Sequence, residues 1–226
     1  MSLTKKEKIK CPKCGHEAEF TVWQSINTAT DKDMKEAVGN GSAFVFDCPE
    51  CGSKTAINYS FLFHQPENKF MVYCAVKNED AEKMYKLFTE NPSELTKDET
   101  LQISESEYVY RIVRSADALR EKVNILENGL DDRIIEIIKG VYVSRITNGK
   151  NKIGKIRNIM FSTDNIGRYI LQVLTENSSE PVYYEVSKDT YEKVYDAYKD
   201  KIPPMKNEYI VDLNRAAEIL QNEAKN

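Results

Sequence analysis

Two short stretches, Cys11-Pro12-Lys13-Cys14-Gly15 and Cys48-Pro49-Glu50-Cys51-Gly52, repeat one pattern with 33 residues between Cys14 and Cys48. Each Cys-x-x-Cys turn can present two sulfurs to one side of a metal ion, and two such turns together close a four-sulfur tetrahedral shell. The glycine after each pair lets the chain reverse at positive φ, which points backbone N–H groups at the sulfurs. Whatever lies between the turns must bring them together. The pattern therefore predicts Cys11, Cys14, Cys48 and Cys51 as ligands of one structural Zn²⁺.

Two other uses of paired cysteines fit less well. A redox pair wants its first cysteine at a helix N-terminus, where the pKa falls, whereas strand-like residues follow each pair here. A zinc-dependent deaminase wants His-x-Glu and then Pro-Cys-x-x-Cys, but this chain has His16-Glu17-Ala18 and the order Cys-Pro. The interval of 33 residues exceeds the roughly 15–20 usual in zinc modules, and an inserted helix with strands accounts for the excess. With four sulfurs on the metal there is no open position for water, so no catalytic residue is assigned at this site.

Composition narrows the setting. The chain has 226 residues, 41% hydrophobic and 30% charged, with a net charge of −4. The longest apolar runs, such as Ala43–Phe46, are far short of the roughly 20 residues of a membrane span. No apolar stretch of signal-peptide length follows the lysines at 5–10, so a cytoplasmic protein with reduced thiols is expected. The leading Met-Ser-Leu is given no structural weight. Charge is uneven: residues 76–138 carry nine basic and fifteen acidic residues, whereas 139–157 carry six basic and no acidic residue.

Periodicity and turn chemistry predict strands at 17–23, 43–46, 55–63, 69–75 and 107–113. A short helix over 34–38, one from Asn78 with Ala81, Met84, Tyr85 and Phe88 on one face, one from Ser115 to about Glu127 and one from Asp131-Asp132 through Lys139 complete the first part. Residues 91–106 read as loop. After a boundary rich in Asn, Gly and Lys at 147–154 come strands at 155–161, 168–174 and 182–186, a helix over 188–199, a short strand at 209–211 and a last helix after Asp212. The expected fold is α+β: a domain over 1–146 with a helical extension, then a small α+β domain over 147–226.

The first part also resembles the CpXC family, named for its two Cys-Pro-x-Cys motifs. The residues that carry this are Cys11–His16, Val22-Trp23-Gln24-Ser25-Ile26-Asn27, Phe44-Val45-Phe46, Cys48–Gly52 and Phe63-His64-Gln65-Pro66. Leu119–Lys122 and Glu127–Glu136 are similar to the longer members, so the resemblance covers roughly residues 8–140. It implies a zinc-ribbon-like domain and its metal ligands, and no catalytic residues.

Other features have a plain reading beside a sharper one. His16 reads as a neighbour of the first turn, with a place in the metal shell as the alternative. His64 reads as a turn hydrogen-bonder and not as a catalytic base, Trp23 as core and Cys74 as a buried free thiol. Asp131-Asp132-Arg133 with Glu136 reads as a solvated helix start, carboxylates being favoured there by the helix dipole; a metal or basic partner is the alternative. The expected role is non-catalytic: a protein-binding or regulatory module braced by its metal. The alternatives are nucleic-acid binding through the basic 139–157 segment, and an enzyme with a site in a cleft between the lobes or at His64.

Overall fold

A computed structural model describes residues 2–90, 108–148 and 154–223. They form ten strands, β1 Leu3–Lys10, β2 Glu17–Asn27, β3 Val45–Asp47, β4 Lys54–Ala56, β5 Phe61–Gln65, β6 Phe70–Cys74, β7 Val109–Val113, β8 Ile156–Thr163, β9 Tyr169–Thr175 and β10 Val182–Val186. The helices are α1 Asp33–Asn40, α2 Asn78–Glu90, α3 Ala116–Glu127, α4 Asp132–Asn148, α5 Lys188–Tyr198 and α6 Leu213–Glu223. The fold is α+β, with a zinc-ribbon-like lobe around the cysteines. Contacts divide the chain into two compact units, Met1–Arg120 and Glu121–Asn226. The change of composition at 147–154 marks a different place, part of which lies outside the described residues, as does the loop expected at 91–106.

In the first unit a five-stranded sheet runs in the order β1-β2-β5-β6-β7, with β2 parallel to β5 and β6 parallel to β7. β3 and β4 form a separate antiparallel pair. β1 was invisible to pattern reading: its sequence is Leu-Thr-Lys-Lys-Glu-Lys-Ile-Lys, almost wholly exposed. It is a strand because β2 supplies a ladder partner at every position from Leu3↔Ser25 to Lys10↔Glu17. Its lysines also blunt the free edge of the sheet against pairing with another chain. The single strand expected over 55–63 is two, β4 and β5, serving different sheets. Trp23, read as core, is only half buried.

The second unit packs the antiparallel sheet β10-β9-β8 with α4, α5 and α6 around Ile134, Ile138, Phe161, Leu171 and Val173. α4 runs nine residues past its expected end. Gly140 sits inside it without stopping it, and α6 packs so close there that a Cβ would lie 3.3 Å from Leu220 Cδ1. The strand expected at 209–211 is irregular chain. No helix among the described residues is long and apolar enough to cross a membrane.

Candidate metal centre

The two cysteine turns are the tips of two hairpins. Cys11–His16 connects β1 to β2, and Cys48–Ser53 connects β3 to β4, and the chain repeats the same local bonding at each tip. Cys11 N–H donates to His16 C=O at 2.8 Å and Gly15 N–H to Cys11 C=O at 2.9 Å; Cys48 N–H donates to Ser53 C=O at 3.0 Å and Gly52 N–H to Cys48 C=O at 2.9 Å. Gly15 has φ 75° and Gly52 φ 65°, left-handed conformations that close the turn without a Cβ clash.

The four sulfurs lie within 4.8 Å of one another. Across the hairpins, Cys11 Sγ is 3.7 Å from Cys51 Sγ and Cys14 Sγ is 3.6 Å from Cys48 Sγ. A tetrahedral ion with metal–sulfur bonds of about 2.3 Å, as for zinc, sets its sulfurs about 3.8 Å apart. The residues present fit a metal ion. Cys11 and Cys48 are buried, Cys51 is half buried and Cys14 is exposed. Phe46 and the cysteines form a small core of their own, backed by Ile9, Ala18, Phe20 and Ile57.

Electrostatics of the bare thiols point the same way. The Cys14 backbone hydrogen bond foremost holds the Cys11 thiol down to about 6. Cys14 receives a favourable bond from the His16 backbone, yet partial loss of solvation and the sulfurs of Cys51, Cys48 and Cys11 push it up to about 12. Sulfurs this close compete for ionisation, and a cation at their centre removes the competition.

The remaining candidates fall elsewhere. His16 is exposed and gives its backbone carbonyl to the first turn; the metal-ligating cluster among the described residues consists of the four cysteines alone. Cys74 is buried on β6, where loss of solvation pushes its thiol up to about 11. His64 belongs to β5 and not to a turn, 8% exposed, with Nε2 3.0 Å from Tyr108 Oη. Burial pushes the Tyr108 phenol up to about 12. These residues are bonded to each other in the sheet.

The acidic stretch at the start of α4 is not solvated. Asp131, Asp132, Arg133 and Glu136 are all 6% exposed or less. Arg133 pairs with Asp131 and Glu208 and also donates to Pro203 C=O. Lys122 Nζ lies 3.2 Å from Asp132 and 2.9 Å from Glu136, while Lys139 Nζ lies 2.8 Å from Glu121 and 3.1 Å from Glu136. Buried charge persists where it is paired in this way. Sequence spacing alone placed Asp132 and Glu136 on one helical face and could not reveal the lysines brought against them. Lys139, counted in the basic stretch, is thus internal, and Lys150 and Lys152 lie outside the described residues.

A family model described as CpXC protein matches residues 9–139, more than half of the chain. No curated protein and no solved structure matches the sequence.

Proposed function

The chain belongs to the CpXC family, and from that premise we propose that it is a non-catalytic protein-binding module braced by one structural zinc ion. The observation that carries the reading is the donor set: four cysteine sulfurs within 4.8 Å of one another, with the two contacts across the hairpins at 3.6 and 3.7 Å. Such a site holds two hairpins together and has no vacancy for substrate or water. In small modules zinc binding supplies roughly 10–16 kcal/mol, enough to decide whether a lobe of this size is folded. The metal acts on the surfaces it holds, in a reducing compartment such as the cytoplasm.

A protein partner suits the charge better than a nucleic acid does. The two hairpins, residues 3–27 and 45–56, carry six lysines and five carboxylates, before a zinc–tetrathiolate adds about −2. Nucleic-acid surfaces are basic. The test is metal analysis joined to capture: the full chain carries one zinc, and a partner retained from nuclease-treated extract is lost with Cys48→Ser. A salt-dependent mobility shift with RNA or DNA, or a partner bound equally well by the metal-free chain, overturns the reading.

A further inference from the structure

Resting on the metal-brace reading above and extending it to regulation, we propose that the four-cysteine cluster is a peroxide-sensitive latch. Cys14 is oxidised first and closes a disulfide to Cys48 across the two hairpins, so that the cluster gives up its metal while the tips stay joined. Access to the four sulfurs is unequal. Cys11 and Cys48 are 1% and 2% exposed, and Phe46, Ile9, Ala18, Phe20 and Ile57 pack around them with Cys51. Cys14 lies outside that packing and is exposed.

Bound to a metal ion, all four sulfurs are thiolates, so access and not acidity selects the one that reacts. A small hydroperoxide such as hydrogen peroxide meets Cys14 before the others. The Cys14 thiolate gives an electron pair to one peroxide oxygen, the O–O bond breaks, hydroxide leaves and a sulfenic acid forms. A sulfenic acid is consumed quickly when a second sulfur is within reach. Cys48 Sγ is that sulfur, at 3.6 Å. Its thiolate attacks the Cys14 sulfur, the S–S bond forms, the S–O bond breaks and a second hydroxide leaves. Two thiolates thus lose two electrons as one peroxide is reduced. Cys11 and Cys51, 3.7 Å apart, repeat the step with a second peroxide.

The direction of these contacts decides what oxidation does. Both run between the hairpins, from the β1–β2 tip to the β3–β4 tip. Closure within a turn, as from Cys11 to Cys14, would leave the two tips with nothing between them once the metal is lost. Closure from Cys14 to Cys48 joins them covalently over a separation of 34 residues. A cross-link over a loop of that length removes much of the freedom of the unfolded chain. Oxidation therefore removes the donor set, and with it the charge of about −2 on a zinc–tetrathiolate, without releasing the hairpins. In a reducing compartment such disulfides are transient and serve as sensors. Cys74, 1% exposed on β6 and outside the cluster, takes no part.

The test is exposure of the metal-loaded full chain to one equivalent of hydrogen peroxide, followed by thiol alkylation and disulfide mapping. Cleavage after Lys13 and after Glu50 separates all four cysteines. Released metal is read with a chromogenic chelator, and folding by thermal melting. The expected result is a Cys14–Cys48 disulfide with metal released in step and Cys74 still alkylated. The oxidised chain melts closer to the loaded chain than to the reduced, chelated one, and dithiothreitol with zinc restores the starting state. A first disulfide other than Cys14–Cys48, above all one within a turn, overturns the proposal. So do thiols left intact by excess peroxide, oxidation that leaves the metal in place, or an oxidised chain that melts like the chelated one. A reduced chain that binds no metal overturns the metal-brace reading, and the latch with it.

Discussion

The backbone N–H of Phe161 donates to Glu121 Oε1 at 2.6 Å, and the same oxygen lies 2.8 Å from Lys139 Nζ. One carboxylate thus ties β8 to α4 inside the second unit. Burial foremost pushes Glu121 above the ordinary carboxylate range, with Lys139 opposing and Glu136 adding to the shift. A carboxyl raised in the folded state holds its proton more tightly folded than unfolded. Its stabilisation is therefore complete below about pH 4.3 and is lost as pH rises through the native value. In thermal melts at fixed metal loading, the wild-type midpoint is expected to fall with rising pH more steeply than that of Glu121→Gln, which keeps an acceptor for Phe161. Equal slopes for the two proteins would refute this.

Lys122 is 3% exposed and faces both Asp132 and Glu136. Burial works against its charge, but Glu136 and Asp132 outweigh burial and raise its pKa. Removing one partner of a buried ionic cluster leaves the others uncompensated, at about 3–5 kcal/mol. Lys122→Met is expected to lose stability on that scale in denaturant unfolding, although methionine fills the same space. A loss under about 1 kcal/mol would mean that the carboxylates find other compensation.

Cys48→Ser and Cys74→Ser separate ligand from bystander. Cys48 Sγ sits in the four-sulfur cluster, whereas Cys74 lies buried on β6 outside it. Elemental analysis is expected to show one metal per chain in wild type and in Cys74→Ser, and little or none in Cys48→Ser. The loss comes with a lower melting temperature, because the hairpin tips are no longer held together. Full metal content in Cys48→Ser would exclude the cluster as the site.

Gly52 has φ 65°, and a Cβ there would meet nothing within 4 Å. Any penalty of Gly52→Ala is therefore backbone strain alone, about 1–2 kcal/mol for a left-handed residue with a side chain. Competition with a chelator is expected to show metal binding about 5–30-fold weaker, and Gly52→Asn to lose less. Equal affinity for wild type and Gly52→Ala would show that the turn relaxes freely.

Tyr108 Oη and His64 Nε2 are 3.0 Å apart and both residues are buried. Tyr108→Phe removes one hydrogen-bond partner of the enclosed His64 imidazole and is expected to lower stability by about 1–3 kcal/mol. Thermal or denaturant unfolding with unchanged metal content is the expected result. An unchanged stability would assign His64 a different main partner.

Local chemistry was legible where it is local in cause. The paired cysteine turns, the glycines that follow them and the amphipathic start of α2 at Asn78 depend on neighbours within a few residues, and the sequence displays them. β1 depends on pairing with residues up to Ser25, so its lysine-rich pattern carried no strand signal. The need for glycine at 140 depends on α6, from a distant part of the chain, coming so close that a Cβ would lie 3.3 Å from Leu220 Cδ1. The burial of Asp132 and Glu136 depends on Lys122, brought from another helix.

By itself the sequence determined that two Cys-x-x-Cys-Gly turns form, and the structure brings their four sulfurs within 4.8 Å of one another in a cluster that could hold a metal ion. It also determined the α+β class, since periods of two and of 3.6 are written into successive segments. Tertiary structure alone decided which charges are internal and which residues the cysteine cluster packs against. Those depend on side chains meeting across elements distant in the chain, where burial multiplies the strength of each pairing and of each omission.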